Sequence, residues 1–469
     1  MAELGSIENP LRVAIVGSGP AGFYAAEQLL KPDEPVVEVD VFDKLPTPYG
    51  LVRAGVAPEH PKIKSVTRVY EKTAARPGFR FFGNVEVGKH ISAAELAERY
   101  NAVIYAYGTS TDRKLGIPGE GLPGSHPATT FVAWYNAHPD FRDGDFDLNC
   151  KRVVVIGNGN VAADVARMLA LDRGELEETD TAGHAIDALA ESGVEEIVVI
   201  GRRGPAQAAF TTPEVRELGE MNDADIIIEQ TDVELDEHSR AQIESGEAAP
   251  TNVRNVEVLT QFAGREATGK RRRIVLRFLS SPIEILGSEK VEGIVIGRNR
   301  LEPGENGTVR AVDTGERETL ECGLILRSIG YKGIGVDGVP FDSSQGTIPN
   351  DHGRALDLES GHQVPGIYAV GWIKRGPSGV IGTNKKDAAD TVQALLTDLE
   401  QGRVPERGSG EVTPIDDLLA ERQPDFVSFS GWSAIDHHER AAGEPLGRPR
   451  VKFTSLDDLL DAARREPVA

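Results

Sequence analysis

Short apolar runs rich in β-branched residues recur along the chain, and several of them end in glycine. Runs of this length read as buried strands, since an amphipathic helix needs a longer stretch with a period of about 3.6. Residues 12–16 form one such run, and 36–42, 80–87 and 101–108 form others. Further runs lie at 153–156, 196–200, 324–331 and 367–370. After 12–16 and again after 153–156 the pattern changes, through a glycine-rich turn, to an alanine-rich helix. Residues 171–193 are a polar, acidic insert expected to be helical and solvated, and 224–313 reads as strands alternating with charged turns. A helix starts near Thr383 and Asn384, which are good cap residues. Beyond Gln401 a linker leads to a tail of short helices at 415–421, 434–442 and 456–464, the last capped by Ser455. Strands alternating with helices predict an α/β fold with parallel sheets.

The two glycine turns carry the chemistry. The first reads Gly17-Ser18-Gly19-Pro20-Ala21-Gly22 and the second Gly157-x-Gly159-x-x-Ala162. Both fit the dinucleotide-binding fingerprint, and both sit between a strand and a helix, the setting that gives the motif meaning. The first glycine allows a tight turn, the second lets backbone approach a pyrophosphate, and the third small residue lets the helix pack on the strand. The pyrophosphate then rests on exposed N–H groups at the helix start. Gly17, Gly19, Ala21 and Gly22 are therefore candidate contacts for one dinucleotide, and Asn158, Gly159, Asn160 and Val161 for a second. Asp43 ends the strand after the first turn, about twenty residues on, where an acid accepts from ribose hydroxyls. Arg202 and Arg203 occupy the equivalent strand end after the second. Paired arginines there suit a phosphate carrying nearly two negative charges, so the second dinucleotide is expected to be NADP(H). Two dinucleotides facing each other imply hydride transfer between them.

Composition removes competing classes. The 469 residues suffice for two or three domains, and a net charge of −23 speaks against general nucleic-acid binding. Two cysteines, Cys150 and Cys322, provide neither a disulfide framework nor a Cys-x-x-Cys pair and suit a reducing cytoplasm. The first ten residues lack the basic and apolar regions of a signal peptide. No apolar run reaches the roughly 18 residues that span a membrane, so a cytoplasmic location is expected. Lys270-Arg271-Arg272-Arg273 is a basic cluster in an acidic chain, either a docking patch for an acidic partner or a hairpin turn kept soluble by charge.

Residues 43–64, DKLPTPYGLVRAGVAPEHPKIK, form an irregular Pro- and Gly-rich loop of the kind that lies over a ligand. With GSGPAG before it and GNGNVAADVAR after it, this string closely resembles the adrenodoxin-reductase-like ferredoxin–NADP(+) reductases, flavoproteins of the glutathione-reductase superfamily. The resemblance runs from about residue 10 to the C-terminus. It implies two Rossmann-like, three-layer domains: an FAD-binding domain from 10–115 and 330–469, including the helical tail, and an inserted NADP-binding domain, 116–329, entered through a Pro/Gly linker. It implies FAD and NADP(H) as cofactors and a ferredoxin-type iron–sulfur protein as partner. Hydride would pass from NADPH to FAD, then single electrons to the ferredoxin, reversibly in principle.

The resemblance also implies roles for single residues. His60 and Glu214 fall at the active site, Glu214 at the nicotinamide end, with Glu217 a solvated alternative. Leu51, Val85, Val87 and Arg113 fall against the nucleotides. Trp372 follows Gly371 where many relatives carry Asp, and Gly379, Val380 and Ile381 fall beside the isoalloxazine ring. The helix starting near Thr383 would direct its positive end at the flavin, with Lys385 and Lys386 either facing ferredoxin or plain surface lysines. Read without the resemblance, His60 equally fixes a proline-rich turn and Arg113 is equally a solvated arginine. Three other readings stay open: the NADPH-oxidising flavin subunit of a larger oxidoreductase such as glutamate synthase, whose iron–sulfur segments are absent here; a non-catalytic, NADPH-sensing flavoprotein; and a reductase of quinones or dyes. An acidic ferredoxin needs a local basic face on this acidic chain.

Overall fold

In the computed structural model, which describes residues 2–304, 308–406 and 413–465, the strand before the first glycine turn lies inside a seven-stranded sheet. Edge to edge that sheet runs Asn350–Asp351, Arg354–Leu356, Gln363–Ala369, Ala102–Tyr105, Leu11–Val16, Val37–Phe42 and Phe79–Phe82. The five strands from Gln363–Ala369 to Phe79–Phe82 are parallel, and the other two are antiparallel. Alternation along Leu11–Val16 explains its burial on both faces. Leu11, Val13 and Ile15 pack toward the helices Pro20–Leu30 and Thr383–Glu400, while Ala14 and Val16 join a second core with Phe42, Phe82 and Tyr105. The chain leaves Leu11–Val16 toward Val37–Phe42 on one side and is joined by Ala102–Tyr105 on the other. The strand order reverses there, and the crevice at such a point is where open α/β sheets take ligands.

The chain divides into two compact units, Met1–Thr111 with Gly330–Ala469, and Asp112–Ile329. The second unit carries six parallel strands in the order Ser125–Pro127, Leu324–Arg327, Arg152–Ile156, Glu196–Ile200, Arg272–Arg277 and Ala224–Ile228. The second glycine turn follows Arg152–Ile156, again inside the sheet. A separate antiparallel sheet is built from Ser280–Leu286, Gly293–Pro303 and Val309–Glu321. The expected α/β class with two Rossmann-like units is what the structure has.

Several elements depart from expectation. The run 80–87 yields only the strand Phe79–Phe82, because Gly83 pairs with Val427 of the tail and Asn84 turns at φ 60°. The insert 171–193 is helical, with Arg173–Glu177 and Gly183–Ala190, but it is not solvated: Leu176, Ile186, Leu189 and the Thr179-Asp180-Thr181 turn are buried. The stretch 224–313 holds helices Gln230–Val233, Glu237–Glu244 and Pro250–Ala263 as well as strands. In the last of these, Asn255, Val258, Leu259 and Phe262 share one buried face. Val256, Glu257 and Val258 alternate within it, a fragment that mimics strand periodicity.

The tail helices are Ile415–Arg422, Phe429–Gly443 and Leu456–Arg464, and Ser455 Oγ accepts from the Asp458 N–H, as a cap should. Val427, Trp432, Ile435, Leu459 and Ala462 complete the first unit's core. Residues 305–307, 407–412 and 466–469, within the stretches read as hairpin, linker and tail, lie outside the described residues. No described helix is long and apolar enough to cross a membrane.

Candidate dinucleotide-binding sites

The two glycine turns share one steric logic. Gly17 has φ 108°, and a Cβ there would lie 2.6 Å from Tyr107 Cα. A Cβ on Gly22 would lie 2.1 Å from the Gly17 carbonyl oxygen. These two glycines are required by the packing of the protein itself. Gly19 is not, since a Cβ there would meet only Gly50 Cα, at 4.0 Å. In the second turn Gly157 has φ 132°, and its Cβ would lie 2.1 Å from Ser328 O, whereas one on Gly159 would meet only Ala209 Cβ at 3.9 Å. Ala162, in the third place, is fully buried. The middle glycine of each turn therefore keeps space open beside the first turn of a helix. Ala21 and Gly22 in one helix, and Asn160 and Val161 in the other, stand where N–H groups have no intrahelical acceptor. Both turns fit a pyrophosphate.

Around the first turn, Asp43 acts on the protein itself. Its Oδ2 accepts from Ser18 N–H at 2.9 Å and Ser18 Oγ at 2.5 Å, and its Oδ1 from Leu45 N–H at 3.0 Å. Burial pushes this carboxyl above its ordinary value, against the lowering pull of those bonds. Oδ1 still has a lone pair to offer a ribose hydroxyl, whereas Ser18 takes both of those on Oδ2. The Pro/Gly-rich loop closes on the same turn, with Tyr49 N–H donating to Ser18 O at 3.0 Å. Leu51 then opens the short helix Leu51–Ala54 and is 41% exposed. Gly371 also reaches this place, because a Cβ on it would lie 2.6 Å from Ala21 Cβ. Trp372 packs on Tyr331 at 5.4 Å and donates Nε1–H to Ser378 O at 3.2 Å. The structure thus gathers Gly17, Gly19, Ala21, Gly22, Asp43, the Leu51 loop and the start of the Trp372 segment. Val85 is buried and Val87 half-buried at the Val87–Ile91 bridge, His60 is half-buried before the helix Pro61–Lys64, and Gly379 and Val380 are exposed beside half-buried Ile381.

Thr383 and Asn384 do not cap their helix. Gly382 takes the cap position without a side-chain bond, while Thr383 Oγ1 accepts from Val380 N–H at 3.1 Å and Asn384 Oδ1 from Arg375 at 2.8 Å. Asp387, unforeseen in the sequence, accepts from Gly371 N–H at 2.5 Å and pairs with Lys374 at 2.8 Å. Lys385 and Lys386 are exposed, as expected.

Around the second turn, Ala209 N–H donates to Asn158 O at 2.9 Å and Thr211 N–H to Asn160 Oδ1 at 2.8 Å. Gly157 N–H bonds Ile200 O, which brings the strand end with Arg202 and Arg203 beside the turn. Arg202 is exposed and Arg203 half-buried, and among the described residues neither forms an ion pair. Burial and the neighbouring Arg202 charge both push the Arg203 guanidinium below its ordinary value. A multiply charged anion would relieve that repulsion. Arg113 is exposed and, among the described residues, hydrogen-bonds to neither turn.

Glu214 is buried, and its Oε2 accepts from Arg167 at 2.7 Å. Arg167 is itself buried, bonds Asp164, and lies 3.7 Å from Glu217. Glu217 is therefore part of an ion cluster, which corrects its reading as solvated. The missed Arg167 carried a signal: an Asp and an Arg three apart on an otherwise apolar helix.

Of the basic cluster, Lys270, Arg271 and Arg273 are exposed and Arg272 is not. Arg272 is fully buried and donates to the carbonyls of Ala170, Leu171, Leu189 and Val194. Lys270 Nζ donates to Met221 O at 2.6 Å, Arg271 to Ser192 O at 2.7 Å, and Arg273 pairs with Glu196 at 3.0 Å. The four side chains tie the sheet to its flanking segments.

Residues 11–382 match the pyridine nucleotide-disulphide oxidoreductases. The chain belongs to this family. It is 53% identical over 455 residues to the NADPH-ferredoxin reductase FprA of Mycobacterium leprae, covering 96% of this chain and 97% of that protein. It is 41% identical over 467 residues to the mitochondrial NADPH:adrenodoxin oxidoreductase of Arabidopsis thaliana, covering 97% and 96%. The solved structure of Mycobacterium tuberculosis FprA in complex with NADPH superposes with a TM-score of 0.91 at 51% identity, covering 97% of this chain and all of that one. Against the family's name, Cys150 and Cys322 are both free, and burial pushes their thiols up to about 11 and about 12. The matched stretch ends before the tail, yet the tail reaches the glycine-turn loop. Buried Glu439 takes a bidentate pair of bonds from Arg53 at 2.5 and 2.8 Å, and Arg53 lies 5.2 Å over the Trp432 ring.

Proposed function

We propose that this protein is an FAD-dependent ferredoxin–NADP(+) reductase. The observation that carries it is the pair of glycine turns, each with an open middle glycine, one of them flanked by two arginines that form no ion pair among the described residues. The names of the relatives, NADPH-ferredoxin reductase and NADPH:adrenodoxin oxidoreductase, support the same reading. FAD is held by the first unit, through Gly17, Gly19, Ala21, Gly22 and Asp43, with Leu51, Val87, Trp372, Gly379, Val380 and Ile381 as further walls. NADP(H) is held by the second, through Asn158, Gly159, Asn160 and Val161, with its extra phosphate on Arg202 and Arg203. When bound, the two cofactors supply the redox chemistry: hydride from NADPH to FAD, then single electrons to a ferredoxin-type iron–sulfur protein.

The chain's own part is to bind, orient and set the field. Asp43 locks the first turn through Ser18. Arg167 holds Glu214 in one position, so that Glu214 meets the nicotinamide end of NADP(H) already oriented. His60 and Arg113 complete the proposed set, His60 as a polar group at the active site. Neither cysteine supplies a reactive thiolate at neutral pH, so the electron acceptor is not a thiol of this chain. The free thiols suit a cytoplasmic setting.

Steady-state turnover with a ferredoxin tests the proposal. NADPH is expected to drive ferredoxin reduction with a far larger kcat/KM than NADH. NADPH-driven reduction of small dyes without any reduction of ferredoxins would contradict it.

A further inference from the structure

With Arg272 buried and Lys270, Arg271 and Arg273 each bonded within their own unit, a less committed basic face lies elsewhere. Residues 61–76, directly after His60, hold five basic residues (Lys62, Lys64, Arg68, Lys72 and Arg76) and one acid, Glu71. The chain as a whole has 51 basic against 74 acidic residues, so this stretch inverts the local sign. The helix Thr67–Ala74 presents it in an ordered way. Tyr70 and Thr73 are buried on one side, with Tyr70 stacked on Phe23 at 4.9 Å. Arg68 and Lys72, four residues apart, share the exposed side. Among the described residues, Lys62, Arg68 and Lys72 have no carboxylate at ion-pair distance. Glu71, the one acid, lies 4.0 Å from Arg440 of the tail, which is itself bonded to Asp436 at 2.6 Å. Ile63 is 42% and Val69 39% exposed within this basic surround. Exposed apolar residues ringed by uncompensated charges of one sign form a docking surface, because the charge steers an opposite partner and the apolar area holds it.

We infer that the face formed by Lys62, Ile63, Arg68, Val69 and Lys72 is where an acidic, compact iron–sulfur protein docks. The inference rests on the ferredoxin reductase reading above and names the surface that reading lacks. Position supports it. The face continues the segment that begins with the Tyr49–Ser18 bond at the first glycine turn, so a partner seated there sits on the cofactor loop. Charge supports it as well, since the partner's carboxylates meet cations that have no carboxylate at ion-pair distance among the described residues.

The test uses the whole protein loaded with FAD. The double variant Arg68→Glu/Lys72→Glu is compared with Lys385→Glu/Lys386→Glu, an equal change of net charge on exposed lysines of another helix. Ferredoxin reduction is measured over a range of ionic strength, with a small neutral quinone as the control acceptor. The first variant is expected to raise the ferredoxin KM about tenfold, keep kcat, flatten the salt dependence and leave quinone turnover unchanged. The second should stay within about twofold of wild type. The neutralising pair Arg68→Gln/Lys72→Gln should move the ferredoxin KM in the same direction by less. An unchanged ferredoxin KM in Arg68→Glu/Lys72→Glu, or an equal rise in both reversals, overturns the docking face while the reductase reading stands. A salt-sensitive wild-type dimer that the first variant breaks, without effect on the ferredoxin KM, assigns the face to a second copy and overturns the inference. Wild-type quinone turnover with no reduction of any acidic iron–sulfur protein overturns the reductase reading, and the face falls with it.

Discussion

Gly17 and Gly19 are two residues apart, yet a methyl group would do opposite things at each. The same holds for Gly157 and Gly159. Gly159→Ala adds its methyl to open space, so the melting temperature should stay within about 2 °C of wild type while NADPH binding weakens by tenfold or more, roughly the loss of one phosphate contact to a charged group. Gly157→Ala forces a side chain to φ 132° against Ser328 O, which costs on the order of 1–3 kcal/mol before any relaxation. Thermal melting and NADPH titration of the two variants check this, and a destabilised Gly159→Ala that still binds would contradict it. The arginine pair gives a second prediction. Arg202→Ala/Arg203→Ala should raise the NADPH KM by about a hundredfold or more, from two charge-assisted bonds of about 1.5 kcal/mol or more each, and leave the NADH KM nearly unchanged. Equal losses for both coenzymes would remove the specificity argument. These residues were legible in the sequence because a glycine turn and the strand end beside it are local chemistry. Arg272 was misread because its charge outweighed its spacing: it lies two residues before Ile274 and four before Leu276, on the buried face of the same strand. Glu214 was found only by resemblance, and its partner Arg167 lies 47 positions away.

Two elements depend on buried ion pairs. Glu439 on the helix Phe429–Gly443 has no exposed surface and serves Arg53, Arg450 and the Phe453 N–H together. Glu439→Ala leaves Arg53 buried without its carboxylate, so a loss of about 3–5 kcal/mol is expected in denaturant unfolding. It should also speed release of FAD, because Arg53 belongs to the loop on the glycine turn. A variant as stable as wild type would contradict the role of the tail. Asp398 on the helix Thr383–Glu400 accepts from Arg354, Tyr368, Gln363 and Arg403. Burial alone would raise its carboxyl, but those bonds outweigh burial and hold it below its ordinary 3.8. A depressed folded-state value means the stabilisation is full above 3.8 and fades as the pH falls through the folded value. Melting curves from pH 7 downward should show a drop below that point, which Asp398→Asn should flatten while lowering stability at neutral pH. At this scale the fingerprint strands and the tail helices were legible, since their periods and caps are local. The helix Pro250–Ala263 was not, because the alternation at 256–258 also satisfies a strand and only packing decides.

Seen whole, the chain is one Rossmann-like unit with a second inserted between Thr111 and Gly330. That plan was legible because each unit announces itself through its own glycine turn. The packing of the tail on the first unit was legible, but the ion pair that fastens it was not, since Arg53 and Glu439 stand 386 positions apart. Nor was the basic face, because total charge averages over a surface and hides a patch of opposite sign. The central claim is that electrons pass from NADPH, through FAD, to an iron–sulfur protein. The most direct test is an anaerobic titration of the FAD-loaded protein with NADPH, following the visible flavin band, and then addition of oxidised ferredoxin. The account predicts prompt bleaching by NADPH and recovery of the band as the ferredoxin becomes reduced. A band that NADPH leaves unchanged, or one that stays bleached when ferredoxin is added, would contradict it.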